Sequence, residues 1–356
     1  MKIGLIGGGQ LGLMMIEAAH KIGLSVTVFA DNRSCPAFRI CDDFIESSFT
    51  DLDALSKFRE QCDVFTVETE NIPLSALEYI SEKKTVCPNG EAIRVTQNRI
   101  NEKEFANSLT IPTVPFIEIT TSNIRNIDSC FFPGILKTAR FGYDGKGQVH
   151  VGEKNELLSS VKDLTNSQYI LEKKVPLDTE LSIIIVRDKD GNIASYPLAE
   201  NRHENGILAE SVMPANVSVD VHKLAFTYGE RIVKQLDYVG VLTVEFFLSN
   251  GNLLLNEMAP RPHNSGHQTI NASVTSQFEQ QVRICAGLPI GDTTLKYDVR
   301  LENVLGDLWF SNNNFEPREP NWEKLTGGVK ILKLYGKNEP RVGRKMGHLI
   351  TLIRER

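Results

Sequence analysis

No C-x-x-C pair occurs among the six cysteines of this 356-residue chain, Cys35, Cys41, Cys62, Cys87, Cys130 and Cys285. Neither a zinc knuckle nor a disulfide framework is expected, and the thiols read as buried groups in a reducing cytoplasm. No apolar run reaches membrane-spanning length and no signal-peptide layout precedes the first strand. A membrane partner is therefore not expected, and the location reads as cytoplasmic. Positive charge is in deficit: 39 Lys and Arg against 45 Asp and Glu leave a formal net charge of -6. General nucleic-acid binding is thereby disfavoured, and any anionic substrate must be met by a local basic site. The sequence G-x-x-x-x-G-K-[ST] is missing, which removes a Walker-type NTPase. Internal repeats and low-complexity tracts are missing too, and solenoid or disordered readings go with them.

What remains is globular composition, 41% hydrophobic and 24% charged, at a length that predicts two or three domains. Residues 1 to about 107 alternate strands (2–6, 25–30, 63–68, 85–87) with helices (10–21, 51–61, 74–82 and one long helix over 91–109). Such α/β alternation predicts a doubly wound parallel sheet. The segment "TIPTVPF", with Pro112 and Pro115, breaks the long helix and marks a linker. Strand 134–139, a glycine-rich turn, strand 148–152, helix 155–164 and strand 168–175 make a small α+β lobe, brief enough to move. Beyond it, long strands joined by "DKDGN" and "SNGN" turns, with a helix near 219–236, predict a mainly antiparallel unit. The predicted domains are 1–108, 109–174 and 175–356.

"KIGLIGGGQLGLMM", Lys2 to Met15, runs from a strand through Gly7-x-Gly9-x-x-Gly12 into a helix, the context of a dinucleotide fingerprint. Such a turn selects an anion rather than one cofactor, because its amides and the helix start supply only partial positive charge. Asp31 stands near the place of a ribose-binding acid, so an NAD-dependent oxidoreductase is the first reading. "LKTARFGYDGKGQ" sets Lys137 and Lys146 around Gly142, Gly145 and Gly147; the loop can fold amides over phosphates or be an ordinary Asp144-Gly145 hairpin. "VLTVEFFLSNGNLLLNEMAP" reads as two strands around Asn250-Gly251, each carrying one acid, Glu245 and Glu257. An odd loop centred on Gly251 sets these carboxylates opposite each other, whereas a two-residue turn puts Asn256 opposite Glu245. Paired acids beside phosphate point to Mg2+. In "MAPRPHNSGH" two histidines four apart flank Ser265-Gly266, which argues against a helical zinc pair.

In their order and spacing, "GGGQLG", "VETEN", "LKTARFGYDGKGQ", "LAENRH", "NEMAPRPHNSGH" and "GRKMGH" resemble, end to end, the N5-carboxyaminoimidazole ribonucleotide synthetase family of ATP-grasp enzymes. The resemblance implies an ATP-grasp fold with an N-terminal doubly wound parallel-sheet domain, a small central lid domain and a mainly antiparallel C-terminal domain. It implies carboxylation of 5-aminoimidazole ribonucleotide with ATP and bicarbonate, through carboxyphosphate, in purine biosynthesis. ATP and Mg2+ are the implied cofactors, and a homodimer the implied assembly. Arg99 and Lys137 are assigned to the nucleotide phosphates, and Gly142, Tyr143, Asp144, Gly145, Lys146, Gly147 and Gln148 to a lid above them. Glu172, Lys173, Lys174 and Val175 become the adenine hinge, Glu180 holds the ribose, and His203 with Asn256 completes the ATP site. Glu245 and Glu257 hold Mg2+. The ribonucleotide falls to Gln10, Leu11, Glu68, Asn264, Lys337, Arg344 and Lys345, and the chemistry to Tyr143, Asp144, Lys146 and Arg261, with Asp144 a candidate acceptor for the amine proton. The formate-using glycinamide ribonucleotide transformylase is the nearest rival in this reading. Its family has an acid at the position of Gln10 and an acid-Thr pair where Asn264-Ser265 stands, and both positions favour the carboxylating enzyme.

Overall fold

The computed structural model describes residues 1–142, 145–161, 164, 167–310 and 316–356. The N-terminal alternation forms a five-stranded parallel sheet in the order Asp43–Glu46, Ser25–Ala30, Lys2–Ile6, Val64–Val67, Thr85–Cys87. Its edge strand Asp43–Glu46 escapes the sequence reading because only Phe44 and Ile45 between two acids signal it. Ile3, Leu5, Val26 and Val28 pack under the helix Gln10–Lys21, and Ile6, Phe29, Phe65 and Val67 against the helices Leu52–Gln61 and Leu74–Ser81. Burying each such side chain contributes about 1.5–3 kcal/mol. Strand order reverses between Lys2–Ile6 and Val64–Val67, and that reversal opens a crevice at their carboxyl ends, where Gly7–Gly9 and Glu68–Asn71 lie.

The single helix predicted over 91–109 is two, Gly90–Thr96 and Arg99–Ser108. Asn98 is the cause: in extended conformation, its side chain accepts from the Ile100 amide at 2.9 Å and starts a second helix. The restart frees the Arg99 amide to donate to the Ala139 carbonyl at 2.9 Å. The small lobe is a four-stranded antiparallel sheet, Phe116–Ile119, Tyr169–Lys173, Gly134–Thr138, Gln148–Val151 in spatial order, with the helix Lys154–Ser160. Part of the helix predicted over 155–164 lies outside the described residues.

Among the described residues the remainder builds a nine-stranded antiparallel sheet. Its path runs Asn252–Ala259, Gly240–Ser249, Thr179–Arg187, Ala199–Glu204, Ile207–Met213, Tyr297–Leu305, Lys345–Glu355, Ile331–Leu334, with Ile193–Ser195 on Thr179–Arg187. Helices Thr269–Ala272, Gln277–Cys285 and Trp322–Thr326 interrupt a stretch that the sequence predicts as strands. Gln277–Cys285 hides from pattern reading because its buried residues include glutamines. Gln281 accepts from the Val241 amide (2.6 Å) and donates to the Thr66 hydroxyl (2.9 Å), while Phe278 and Val282 pack on the N-terminal sheet domain. The thiols are free but not uniformly buried: Cys62, Cys87 and Cys285 are, Cys35 and Cys41 are half-buried, and Cys130 is exposed. No helix among the described residues is long and apolar enough to cross a membrane.

Candidate active site

The hairpin that carries the paired acids settles its register by a device that neither sequence alternative contains. Asn250 and Gly251, at φ 48° and 75°, form a two-residue turn that closes Ser249 on Asn252. That turn alone sets Asn256 against Glu245. A β-bulge next to Glu245 absorbs Asn256 as an extra residue, and Glu245 pairs with Glu257 after all. Burial pushes the Glu245 carboxyl up and the charge of Glu257 adds to it. Burial acts the same way on Glu257, but Arg99, 3.0 Å away, outweighs it and holds that carboxyl low. His263, neutral because burial pushes it down to about 3, lies 3.6 Å from Glu245 Oε1. Asn256 turns its Nδ2 toward Glu245 Oε2 at 3.4 Å, and its Oδ1 is buried without a partner. Two facing carboxylates are an oxygen donor set, which fits a hard cation such as Mg2+.

Behind the acids lies a chain of ion pairs. Lys137 Nζ meets Glu172 Oε2 at 2.6 Å, Lys103 Nζ meets Glu172 Oε1 at 3.2 Å, and Lys103 donates to the Asn256 carbonyl at 3.2 Å. Glu172 is held down at about 2, since Lys137 and Lys103 outweigh its burial. Glu102 accepts from the Met258 amide at 2.5 Å, and burial followed by the charge of Glu257 lifts it to about 8. Glu180 and His203 form a hydrogen-bonded pair beside Glu245. Burial opposes protonation of His203, but Glu180 and Glu245 outweigh it and raise the ring.

The N-terminal glycine turn is filled by the protein itself. A Cβ on Gly7, at φ 95°, would meet Glu68 Cγ at 2.5 Å, and one on Gly9 would meet Glu68 Oε2 at 2.7 Å. Burial raises the Glu68 carboxyl to about 7, against the backbone of Gly9 and the charge of Arg261, which favour the anion. A dinucleotide pyrophosphate would need the seat Glu68 occupies, and Asp31 is exposed and spent on the Asn32 amide. The oxidoreductase reading fails on that geometry.

Gln10, Leu11 and Glu68 border a cleft of about 780 Å3 together with Arg99, Gly142, Lys146, Glu257, Arg261, Asn264, Lys337, Arg344 and Lys345. Lys337 donates to Gln10 Oε1 (2.7 Å) and to the Lys345 carbonyl (2.6 Å), which ties the C-terminal basic segment to the first helix. Arg344 donates to the Glu339 carbonyl at 2.6 Å. Arg261 is clamped by both oxygens of Glu70, at 2.5 and 3.1 Å. Both polar atoms of the Asn264 side chain are buried without a partner.

Of the predicted lid, Tyr143 and Asp144 lie outside the described residues. The Gly142 carbonyl accepts from Arg99 at 3.3 Å, and Gln148 pairs with Lys137 across the hairpin. Gly145 and Gly206, both at positive φ, touch back to back: a Cβ on Gly206 would lie 2.5 Å from the Gly145 Cα. In the predicted hinge, Lys173 and Lys174 donate their amides to the carbonyls of Pro115 (2.8 Å) and Pro133 (2.9 Å), and Val175 follows half-buried. The Glu172 side chain is consumed by two lysines, so the hinge presents backbone rather than that carboxylate. Glu70, Glu102 and Lys103 escape the sequence reading, which weighs His263 only as half of a zinc pair. The spacing of Arg99, Glu102 and Lys103 on one helix face is the signal that could have found two of them.

Three family models match the chain in succession: a ribonucleotide synthetase preATP-grasp domain over residues 1–97, an ATP-grasp domain over 104–278 and a phosphoribosylaminoimidazole carboxylase C-terminal domain over 301–356. The chain is 40% identical to the N5-carboxyaminoimidazole ribonucleotide synthase of Brucella melitensis, with 99% of this chain and 96% of that protein covered. It is similar to the crystal structure of N5-carboxyaminoimidazole synthetase from Staphylococcus aureus complexed with ADP, at TM-score 0.91 and 35% identity over 99% of this chain and 93% of that one. It is also similar to the Aspergillus clavatus N5-carboxyaminoimidazole synthase in complex with ADP and 5-aminoimidazole ribonucleotide, at TM-score 0.87 and 28% identity over 99% and 93%.

Proposed function

The chain belongs to the N5-carboxyaminoimidazole ribonucleotide synthase family, ATP-dependent ligases that carboxylate 5-aminoimidazole ribonucleotide, and we propose how its own residues divide that reaction. Bicarbonate is the carboxyl donor. It attacks the γ-phosphate of ATP, releasing ADP and forming carboxyphosphate, whose breakdown to phosphate and CO2 delivers the carbon to the exocyclic amine. Arg99 and Lys137 take the nucleotide phosphates, and the Gly142–Gln148 loop closes over them to keep water from a labile intermediate. Glu172 to Val175 border the adenine, and Glu180 and His203 face the ribose. Glu245 and Glu257 would hold Mg2+, which supplies charge neutralisation at the transferring phosphoryl group.

Arg261, aimed by Glu70, neutralises the developing carboxyphosphate, with Lys146 beside it on the cleft. Gln10, Leu11, Glu68, Asn264, Lys337, Arg344 and Lys345 receive the ribonucleotide, and the unpartnered amide of Asn264 supports that assignment. Tyr143 and Asp144 complete the lid, with Asp144 the acceptor of the amine proton. The division 1–108, 109–174 and 175–356 is supported by the C-terminal strands continuing the large sheet. A cytoplasmic homodimer is the proposed working form.

The observation that carries this reading is the bulge that turns Glu245 onto Glu257 directly in front of Arg99 and the lysine pair. A coupled ADP-release assay tests it. Turnover is expected with ATP, bicarbonate and aminoimidazole ribonucleotide together, and its loss on chelation of Mg2+. Turnover that needs formate and glycinamide ribonucleotide instead would overturn it.

A further inference from the structure

Lys103 has no exposed surface, is not among the residues that line the cleft, and is ion-paired with Glu172. Burying an ammonium is costly unless its partners repay it. Its partners are two: the Glu172 carboxylate in the small lobe and the carbonyl of Asn256, the extra residue of the bulge. Glu172 is 2% exposed and bears a single negative charge between two ammoniums. Its Oε2 is hydrogen-bonded by Lys137, whereas its Oε1 has no hydrogen bond and meets the ammonium of Lys103 at 3.2 Å, with the charge of Arg99 acting from farther off. If Lys103 were apolar, Lys137 would be the one ion-pair partner left to a buried carboxylate, and a nucleotide could recruit Lys137 only by leaving that carboxylate without a direct partner. With Lys103 in place the carboxylate stays compensated when Lys137 turns to a phosphate.

The same helix face grips the metal acid from both sides along the chain. Lys103 holds the carbonyl before Glu257, Glu102 holds the amide after it, and Arg99 holds its carboxylate. Their spacing of i, i+3 and i+4 puts all three on one stripe. We propose that Lys103 is a positioning residue for the ligase reaction, a resident counter-ion that releases Lys137 to the nucleotide and fixes the bulge that presents Glu257. This rests on the assignment of Lys137 to ATP and of Glu257 to Mg2+.

The test is the steady-state kinetics of Lys103→Met, in the wild-type background and in a Glu172→Gln background, with thermal melting alongside. Loss of the buried counter-ion is expected to raise KM for ATP about tenfold or more, with KM for aminoimidazole ribonucleotide within about twofold. In the Glu172→Gln background, where no carboxylate competes for Lys137, the same change is expected to raise KM for ATP by no more than about threefold. The Mg2+ concentration for half-maximal turnover is expected to rise about threefold or more there, since the tie to Asn256 is still lost. A merely structural lysine would lower the melting point without this split between substrates. A folded Lys103→Met enzyme with unchanged KM for ATP overturns the proposal. So does an unchanged Mg2+ requirement in the Glu172→Gln background, which decides the matter where the single variant fails to fold. Wild-type turnover indifferent to Mg2+ would instead sink the underlying assignment of Glu257.

Discussion

Two glycine-rich turns in this chain look alike as text and do opposite things. At Gly7–Gly12 the space that the missing side chains leave is occupied by Glu68, an acid that the fold itself supplies. At Gly142–Gln148 no acid fills the turn among the described residues: the Gly142 carbonyl accepts from Arg99, Gly145 rests on Gly206, and Gly147 lies against Thr138. One turn is already answered from inside; the other, under the proposed assignment, is answered by a nucleotide. Glycine spacing therefore reports where a backbone can be approached, and only the neighbouring side chains tell what approaches it.

The sharpest way to separate the two is to disarm one and spare the other. Glu257→Gln removes a charge from the cation side and leaves the first turn intact. Turnover is expected to fall about 10³-fold, with aminoimidazole ribonucleotide still bound, as calorimetric titration would show. Glu68→Gln does the reverse: KM for aminoimidazole ribonucleotide is expected to rise about tenfold while KM for ATP holds. The same variant has a pH signature. A carboxyl lifted to about 7 stabilises the fold most below its ordinary range, and that contribution is lost as pH rises through 7. Melting of the wild type between pH 5 and pH 8 should therefore drop further than melting of Glu68→Gln.

Gly7→Ala drives a methyl into Glu68 at a positive φ and is expected to cost about 1–3 kcal/mol of stability in chemical denaturation. Gly251→Ala is the smallest perturbation. Nothing lies within 4 Å of its would-be Cβ, so only the positive φ is penalised, by about 1 kcal/mol, with kinetics unchanged.

The parallel sheet was legible in four of its five strands because strand and helix periods alternate from Lys2 to Cys87, the short edge strand Asp43–Glu46 excepted, and the antiparallel sheet because its turns carry Asn-Gly and Asp-Gly. The divided helix was not, since Asn98 inside an otherwise helical run acts as a cap only where its side chain finds the Ile100 amide. The paired acids were legible as a pair, whereas their register depended on one unpaired residue, Asn256, which no alternation rule announces. Likewise the role of Glu172 could not be read from its neighbours in sequence. Its partners Lys137 and Lys103 stand 35 and 69 positions away and meet it only in the folded chain.

The contact of Gly145 with Gly206 has a mechanical meaning. Gly206 is the corner of the ribbon whose first arm carries His203, so whatever leans on that imidazole pushes on the same corner that the loop rests against. Backbone meets backbone there, Gly145 against Gly206 and the Asn205 carbonyl, with the Gln148 side chain at the edge. Under the proposed assignments of His203 to the ribose and of the loop to the lid, filling the one is expected to shift the other through this corner.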